Sequence, residues 1–169
     1  MSSNFTECPA EPVLHLVCGK ISSGKSTLAS RLAGNPKTVL ISEDAWLTAL
    51  FPGEIKDLAD YVRCSGRLKA ALGGHIQALL IAGNSVVLDF PANTVESRLW
   101  MISLFETAGV AHELHFLDVS DEICKARLCA RNAAGEHPFK TTDEEYDLIS
   151  SYFVAPTEEE GFNIIRHKS

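Results

Sequence analysis

The sequence has no long run of apolar residues. No stretch approaches the 18 residues that would indicate a membrane-spanning helix. Residues 1–12 are polar and lack the basic start and apolar centre of a signal peptide, so we interpret them as a short disordered arm. These absences predict a cytoplasmic protein that makes no use of a membrane.

Patterns of clustered metal ligands are also missing. The five cysteines are widely spaced and odd in number, which favours reduced thiols in a cytosolic protein. Cys124 and Cys129 do not have the spacing of a zinc site. The six histidines are scattered, and none of them forms a His-x-x-x-His pair.

The chain has no excess of positive charge. Its formal net charge of −7 argues against a non-specific nucleic-acid binder, although a local basic site remains compatible with it. An apolar content of 46% and a charged content of 22% are ordinary for a globular protein. With 169 residues and no linker, we predict a single domain over residues 13–169.

A complete phosphate-binding loop is present near the start of the chain. The pattern is glycine, four residues, then Gly-Lys-Ser, and it lies between an apolar strand and a helix that begins near Ser26. This context predicts a nucleoside triphosphate bound with Mg²⁺. The predicted nucleotide-binding residues are Gly19, Lys20, Ile21, Ser22, Ser23, Gly24, Lys25, Ser26 and Thr27.

The residue types in the loop match the roles that this ligand requires. Gly19 and Gly24 allow the backbone to curl so that N–H groups face phosphate oxygens. Lys25 is expected to reach the β- and γ-phosphates, and the Ser26 hydroxyl is expected to bind Mg²⁺. Lys20 lies within the loop, where a solvated charge is the simpler interpretation.

Apolar strands alternate with helices along the rest of the chain, which predicts an α/β fold with a parallel sheet covered on both faces. The ligand should then lie at the carboxyl ends of the strands. Helices are predicted with caps at Thr94, Ser120 and Thr142, and the helix that follows Thr94 is predicted to bury Val95, Leu99, Ile102 and Phe105. The predicted strands are 13–18, 38–41, 85–90, 112–119 and 162–166, and the predicted helices include 55–82 (broken near Gly66 and Gly73), 95–108 and 142–154.

Two acidic residues follow predicted strands at the edge where the loop also lies. Asp44 could accept a proton from a substrate hydroxyl that attacks the γ-phosphate, or it could simply cap the next helix. Glu43 is a weaker candidate for that role. Asp89 could hold Mg²⁺ together with Ser26, or it could be a buried acid bonded to loop N–H groups.

Three sets of arginines are candidates for anion binding. Arg127 and Arg131 share one helix face, either as part of a lid that closes on the phosphoryl group or as a solvated face paired with Asp121 or Glu122. Arg63 and Arg67 are also four residues apart and could contact an anionic acceptor, although the pattern favours a solvated face. Arg98 occupies the first turn of its helix, where a cation is unfavourable without an anionic contact.

These motifs together resemble the small P-loop kinases grouped with chloramphenicol phosphotransferase and the zeta toxins, which are often described only as AAA-type ATP-binding proteins. The resemblance rests on Gly19–Thr27, on Ile41–Asp44, on Leu88-Asp89 and on Arg127–Asn132. It implies a three-layer P-loop NTPase fold with strand order 2-3-1-4-5 and a helical lid over about residues 127–145. It also implies phosphoryl transfer from ATP to a hydroxyl, with Asp44 as base.

The leading hypothesis is therefore a Mg²⁺-ATP-dependent kinase of a small hydroxylated molecule. One alternative is a nucleotide-dependent switch or ATPase that acts on a protein partner. Another is a kinase of nucleotide or RNA ends that uses Arg63, Arg67 and Arg98, which the acidic charge balance disfavours. The acceptor and the oligomeric state are left open by the sequence.

Overall fold

The computed structural model describes residues 11–135 and 141–168. The predicted arm therefore lies almost wholly outside the described residues. Five strands alternate with helices along this part of the chain. The elements are β1 Val13–Cys18, α1 Lys25–Leu32, β2 Thr38–Ser42, α2 Glu43–Leu50, α3 Leu58–Ile81, β3 Ser85–Pro91, α4 Val95–Ala108, β4 Ala111–Asp118, α5 Asp121–Ala134, α6 Asp143–Ser151, a 3-10 turn Glu158–Glu160, and β5 Ile164–Lys168.

The sheet is parallel throughout and has the order β2-β3-β1-β4-β5, as predicted. Its central strand, β1, is buried on both faces. On one face Leu14 and Leu16 join the core that α2, α3 and α4 cover, and on the other face Val17 packs with Ala29 of α1. This arrangement makes three layers and brings the carboxyl ends of all five strands to one edge.

The predicted helix caps are confirmed. Thr94, Ser120 and Thr142 each accept a hydrogen bond from a backbone N–H in the first turn, and Thr142 forms a full capping box with Glu145. The outermost boundaries differ by a few residues from the prediction, since α6 ends at Ser151 and β5 begins at Ile164. Such shifts are usual where a pattern fades at the end of an element.

The predicted breaks in α3 are wrong, because the helix is continuous over 24 residues. A glycine inside a helix costs about 1 kcal/mol relative to alanine, which is too little to end a helix that is held by packing. The buried side chains of α3 supply that packing and recur at helical spacing. They include Cys64, Leu68, Leu72, Ile76 and Leu80.

The predicted inward face of α4 is partly wrong. Val95 is 46% exposed and Leu99 is 61% exposed, whereas Met101 and Leu104 are buried. Phe105 is buried as predicted, and Ile102 is partly buried against the same core. Apolar residues occur on every side of this helix, so periodicity does not choose a face. The buried face of α4 also contains Arg98, a cation that an apolar pattern does not assign to a core.

Within residues 11–135 and 141–168, no helix has both the length and the apolar character needed to cross a membrane. The described cysteines are all unpaired thiols, with Cys18, Cys64 and Cys124 buried and Cys129 exposed.

Candidate active site

The loop between β1 and α1 has the backbone that its glycines allow. Gly24 has a φ of 103° and Gly19 a φ of 155°. A Cβ on Gly19 would lie 2.6 Å from Ser23 Oγ and 3.0 Å from the Leu117 carbonyl oxygen, so a larger residue would force the loop apart. Ser22 also adopts a positive φ, of 59°, which marks a tightly curled chain.

Asn93 fixes the entrance of this loop, a role that the sequence did not reveal. The Gly19 N–H donates to Asn93 Oδ1 over 2.9 Å, and Asn93 Nδ2 donates to the Gly19 carbonyl over 2.8 Å. Asn93 follows β3, the strand that pairs with β1. The predicted strand order is the one indication that could have placed it beside Gly19.

Lys25 points back into the loop. Its Nζ donates to the carbonyl oxygens of Gly19 and Lys20, each over 2.7 Å. Burial lowers the pKa of Lys25 to about 8, although the nearby carboxylates Asp89 and Asp44 oppose that shift. Burial therefore makes the charged ammonium group unfavourable, and an anion bound above the loop would offset that cost.

Several polar atoms of the site are buried without a partner among the described residues. They are Ser22 Oγ, Ser23 Oγ and Arg131 Nε. Native proteins seldom leave such groups unsatisfied, and all three can donate a hydrogen bond. The site therefore fits an anionic ligand such as a chain of phosphates.

Asp89 lies at the floor of the cleft near Ser26. Burial raises the pKa of the Asp89 carboxyl, a hydrogen bond from the Ser26 hydroxyl lowers it, and the charge of Asp44 raises it further. A hydroxyl and a carboxylate in contact are oxygen ligands of the kind that Mg²⁺ uses. The structure therefore brings together the two residues predicted to hold the metal.

Asp44 occupies the first turn of α2 and faces the same cleft. The interpretation of Asp44 as the helix cap is wrong, because Ser42 is the cap and its hydroxyl accepts from the Ala45 N–H. Its neighbour Glu43 points the other way into the protein, where Tyr61 and Ser65 donate to it over 2.6 and 2.5 Å. Burial raises the pKa of Glu43, and these two hydrogen bonds oppose that shift.

The paired arginines of α5 face the loop. Arg127 donates to the Ser23 carbonyl oxygen over 3.2 Å, and Arg131 also lines the cleft. Asp121, which was considered as their partner, instead accepts from Lys20 and from Tyr146, each over 2.7 Å.

Lys20 thereby has a counter-ion within the protein, Asp121, and is not simply a solvated charge.

The predicted lid is only partly described. Residues 136–140, which include His137, lie outside the described residues. Asn132, which precedes this segment, donates through its Nδ2 to the carbonyl oxygen of Thr141, which follows it, over 2.8 Å. This bond joins the end of α5 to the start of α6.

The structure does not place Arg98 in the cleft, so its predicted contact with substrate is wrong. The side chain is fully buried. Its guanidinium donates to both oxygens of Glu160, over 2.6 and 3.0 Å, and to the carbonyls of Ala92 and Val154, over 3.0 and 2.8 Å. The anion that justifies a cation at this helix start is therefore part of the protein itself.

The two remaining candidate arginines, Arg63 and Arg67, lie in different surroundings. Arg63 lies at the edge of the cleft, where it is 43% exposed and bonded to Asp60 over 2.9 Å. Arg67 is exposed and is missing from the described residues that line the cleft. Arg67 therefore fits the solvated face that the sequence favoured, whereas Arg63 borders the cleft.

Comparison with known protein families assigns the chain to one of them. The AAA domain profile matches residues 14–156. The chain belongs to the AAA domain family. No curated protein sequence matches it.

Solved structures share the fold of this AAA domain. A candidate kinase of Chloroflexus aurantiacus has a TM-score of 0.74 at 21% identity, over 94% of this chain and 85% of that one. The APS kinase of Mycobacterium tuberculosis, bound to AMPPNP and APS, has a TM-score of 0.59 at 22% identity, over 95% and 90%. Kti12 of Chaetomium thermophilum, bound to ADP-AlF3, has a TM-score of 0.67 at 17% identity, over 93% and 89%. The five-stranded parallel sheet is that of a P-loop NTPase kinase fold.

One continuous cleft of this AAA domain joins the phosphate loop to a second wall formed by α2, α3 and α4. That wall offers hydroxyl, aromatic and cationic side chains: Phe51, Tyr61, Arg63, Lys69, Ser97 and Trp100. Lys69 lies 5.6 Å from the Trp100 ring and donates to Ser97. The cleft thus has a loop suited to phosphates and, facing it, a mixed surface suited to a second molecule.

Proposed function

We propose that this chain is a cytoplasmic Mg²⁺-ATP-dependent kinase that moves the γ-phosphate to a hydroxyl of a small molecule. The observation that carries this proposal is the convergence of four features on one cleft. These are the phosphate loop with Lys25, the acid at Asp44, the acid at Asp89, and the arginines of α5. Phosphoryl transfer depends mainly on positioning and on neutralising charge, and these groups can do both.

The nucleotide would be held by the loop Gly19–Thr27. Its backbone N–H groups, the start of α1 and Lys25 suit the phosphates, and the hydroxyls of Ser22 and Ser23 are available to donate. Ser26 and Asp89 would hold Mg²⁺, which when bound neutralises charge on the phosphate oxygens.

Asp44 would act as the general base, because it faces the cleft from the end of β2 beside the loop. Arg127 would stabilise charge on the transferring group from its position next to the loop, and Arg131 would do so with its buried Nε. Closure of residues 127–145 as a lid would bring both guanidinium groups nearer.

The acceptor would dock against the wall of α2, α3 and α4, with Arg63 at its edge. A small molecule is supported by the APS kinase among the similar folds. The resemblance to chloramphenicol phosphotransferase and the zeta toxins implies a hydroxyl as the accepting group. The similar fold of Kti12, solved with ADP-AlF3, supports nucleotide binding, which the alternative of a nucleotide-dependent switch shares with the kinase.

Transfer of labelled phosphate tests the proposal. The full chain is incubated with γ-labelled ATP, Mg²⁺ and a pooled metabolite extract, and label is followed by mass spectrometry beside free phosphate. We expect a labelled small molecule. Free phosphate released only with a protein extract, and no labelled metabolite, would contradict the kinase and favour the switch.

ATP binding is expected to depend on pH through Lys25. Because the pKa of Lys25 is lowered to about 8, the cationic form that binds phosphate predominates below pH 8 and is lost above it. The affinity for Mg²⁺-ATP should be constant near pH 7 and fall roughly 10-fold per unit above pH 8, until it reaches the affinity of the neutral form. Equilibrium binding of a fluorescent ATP analogue from pH 7 to pH 9.5 measures this.

Lys25→Arg is the matched control, since a guanidinium does not titrate in this range. Its affinity should be lower overall and nearly independent of pH. An identical fall with pH in both proteins would assign the effect to another group.

A further inference from the structure

Three histidines and a glutamate meet on the sheet, on the face where Val17 packs with α1. His15 lies on β1, Glu113 and His115 lie on β4, and His167 lies on β5. His15 is in register with Glu113, and the side chains of alternate residues share one face. These residues are far apart in sequence, so no spacing rule could have found them.

Three ligand atoms of this cluster form a compact triangle. His15 Nδ1 lies 3.0 Å from Glu113 Oε2, His115 Nε2 lies 3.3 Å from the same oxygen, and the two nitrogens are 3.4 Å apart. Two imidazoles therefore aim at one carboxylate oxygen and at each other.

The triangle has the dimensions of a zinc site. Tetrahedral Zn²⁺ binds nitrogen and oxygen at about 2.0–2.1 Å, which places neighbouring ligand atoms about 3.3 Å apart. All three sides are within a few tenths of an ångström of that spacing. Imidazole and carboxylate are both ordinary zinc ligands.

His167 supplies an outer partner for this triangle. Its Nε2 lies 3.1 Å from His115 Nδ1, the ring nitrogen that faces away from the triangle. Metal-binding histidines usually donate their second N–H to such an acceptor, which fixes the tautomer and the ring orientation. His167 is therefore a positioning residue and not a ligand.

Burial and access also fit a metal ion. The side chains of His15 and His115 are 13% and 6% exposed, whereas that of Glu113 is 32% exposed, so an ion can enter from the carboxylate side. Along β1, His15 is four residues from Gly19, or about 13 Å at about 3.3 Å per residue. The three proposed ligands are not among the described residues that line the nucleotide cleft, whereas His167 borders it.

We propose that His15, Glu113 and His115 bind one Zn²⁺ ion, with His167 orienting His115 and with the fourth coordination position taken by water or another small ligand. The ion would fasten β1 to β4 in the middle of the sheet. The proposal is independent of the kinase activity, because none of these residues belongs to the phosphate loop or to its acids.

Zinc titration of the metal-free full chain tests this site. Binding is measured by competition with a chelating dye, stoichiometry by elemental analysis after gel filtration, and geometry by the visible spectrum of the Co²⁺ form. We expect one equivalent of Zn²⁺ and an intense, tetrahedral Co²⁺ spectrum. At a zinc concentration about 100 times Kd, the Tm should rise by about 5–10 °C.

Three variants distinguish the cluster from adventitious binding. Glu113→Gln should weaken zinc binding on the order of 100-fold or more, and His167→Gln should weaken it about 10- to 100-fold and alter the Co²⁺ spectrum. His75→Ala removes an exposed histidine of α3 outside the cluster and should change neither. Circular dichroism without metal checks that each variant is folded.

The proposal would be overturned if the unmodified chain bound no zinc. It would be overturned equally if Glu113→Gln and His75→Ala bound zinc as tightly as the unmodified chain, because the ion would then lie elsewhere, for example at the exposed Cys129. Should Glu113→Gln fail to fold, His15→Gln and the Co²⁺ spectrum decide between the same two outcomes.

Discussion

Replacement of Asp44 by asparagine is expected to lower the rate of phosphoryl transfer about 1,000-fold while ATP binding is retained. A positioned general base contributes about 10²–10⁴ to a rate, and asparagine keeps the shape of aspartate but accepts no proton. Lys25 and the hydroxyls that face the phosphates are unaltered in this variant, so the affinity for nucleotide should change little. Single-turnover transfer and equilibrium ATP binding are measured side by side.

A glutamate remote from the cleft provides the control. Glu106→Gln makes the same chemical change on an exposed position of α4 and should leave transfer unaltered. If Asp44→Asn retained full activity, Asp44 would have no role as base. If it lost ATP binding as well, its main role would be to hold the nucleotide complex.

Replacement of Arg98 by leucine is expected to lower the free energy of unfolding by about 3–5 kcal/mol. Removing one partner of a buried ion pair leaves the other charge uncompensated, here Glu160. The carbonyl oxygens of Ala92 and Val154 would also lose their donor. For a chain of this size the Tm should fall by about 10 °C, which urea unfolding and calorimetry can measure.

Arg166→Leu is the matched control for this loss. Arg166 also donates to a carboxylate, Asp118, over 3.2 Å, but its side chain is 52% exposed. Exposed ion pairs contribute about 0–1 kcal/mol, so this variant should unfold nearly as the unmodified chain does. Equal losses in the two variants would show that burial does not set the strength of the Arg98 pair.

The parallel sheet and the phosphate side of the cleft were accessible from the sequence, and the resemblance to small P-loop kinases implied the strand order. Alternation of strands and helices implies parallel pairing, and parallel strands place their carboxyl ends at one edge. That rule brought Asp44 and Asp89 to the loop, and both line the cleft in the structure. The glycine pattern predicted the phosphate loop because the backbone angles that the loop needs depend only on the residues within it.

Contacts between distant residues were not accessible in the same way. Arg98 was assigned to substrate because helix position indicates a need for an anion but not which anion meets it, and Glu160 lies 62 residues away. Asn93 and the histidine cluster likewise depend on the registers between β1, β3 and β4. A short pattern carries no information about register, so these sites became visible only once the sheet was assembled.

The strand order also has a consequence for the way the chain folds. The central strand β1 comes first along the chain, yet its two neighbours, β3 and β4, follow it by about 70 and 100 residues. Pairings between such distant segments carry a large loop-closure entropy and are slow to form. The Gly19 loop therefore gains its hydrogen bonds to Asn93 only after β3 has paired with β1, so competence to bind nucleotide should arise only after that distant pairing has formed.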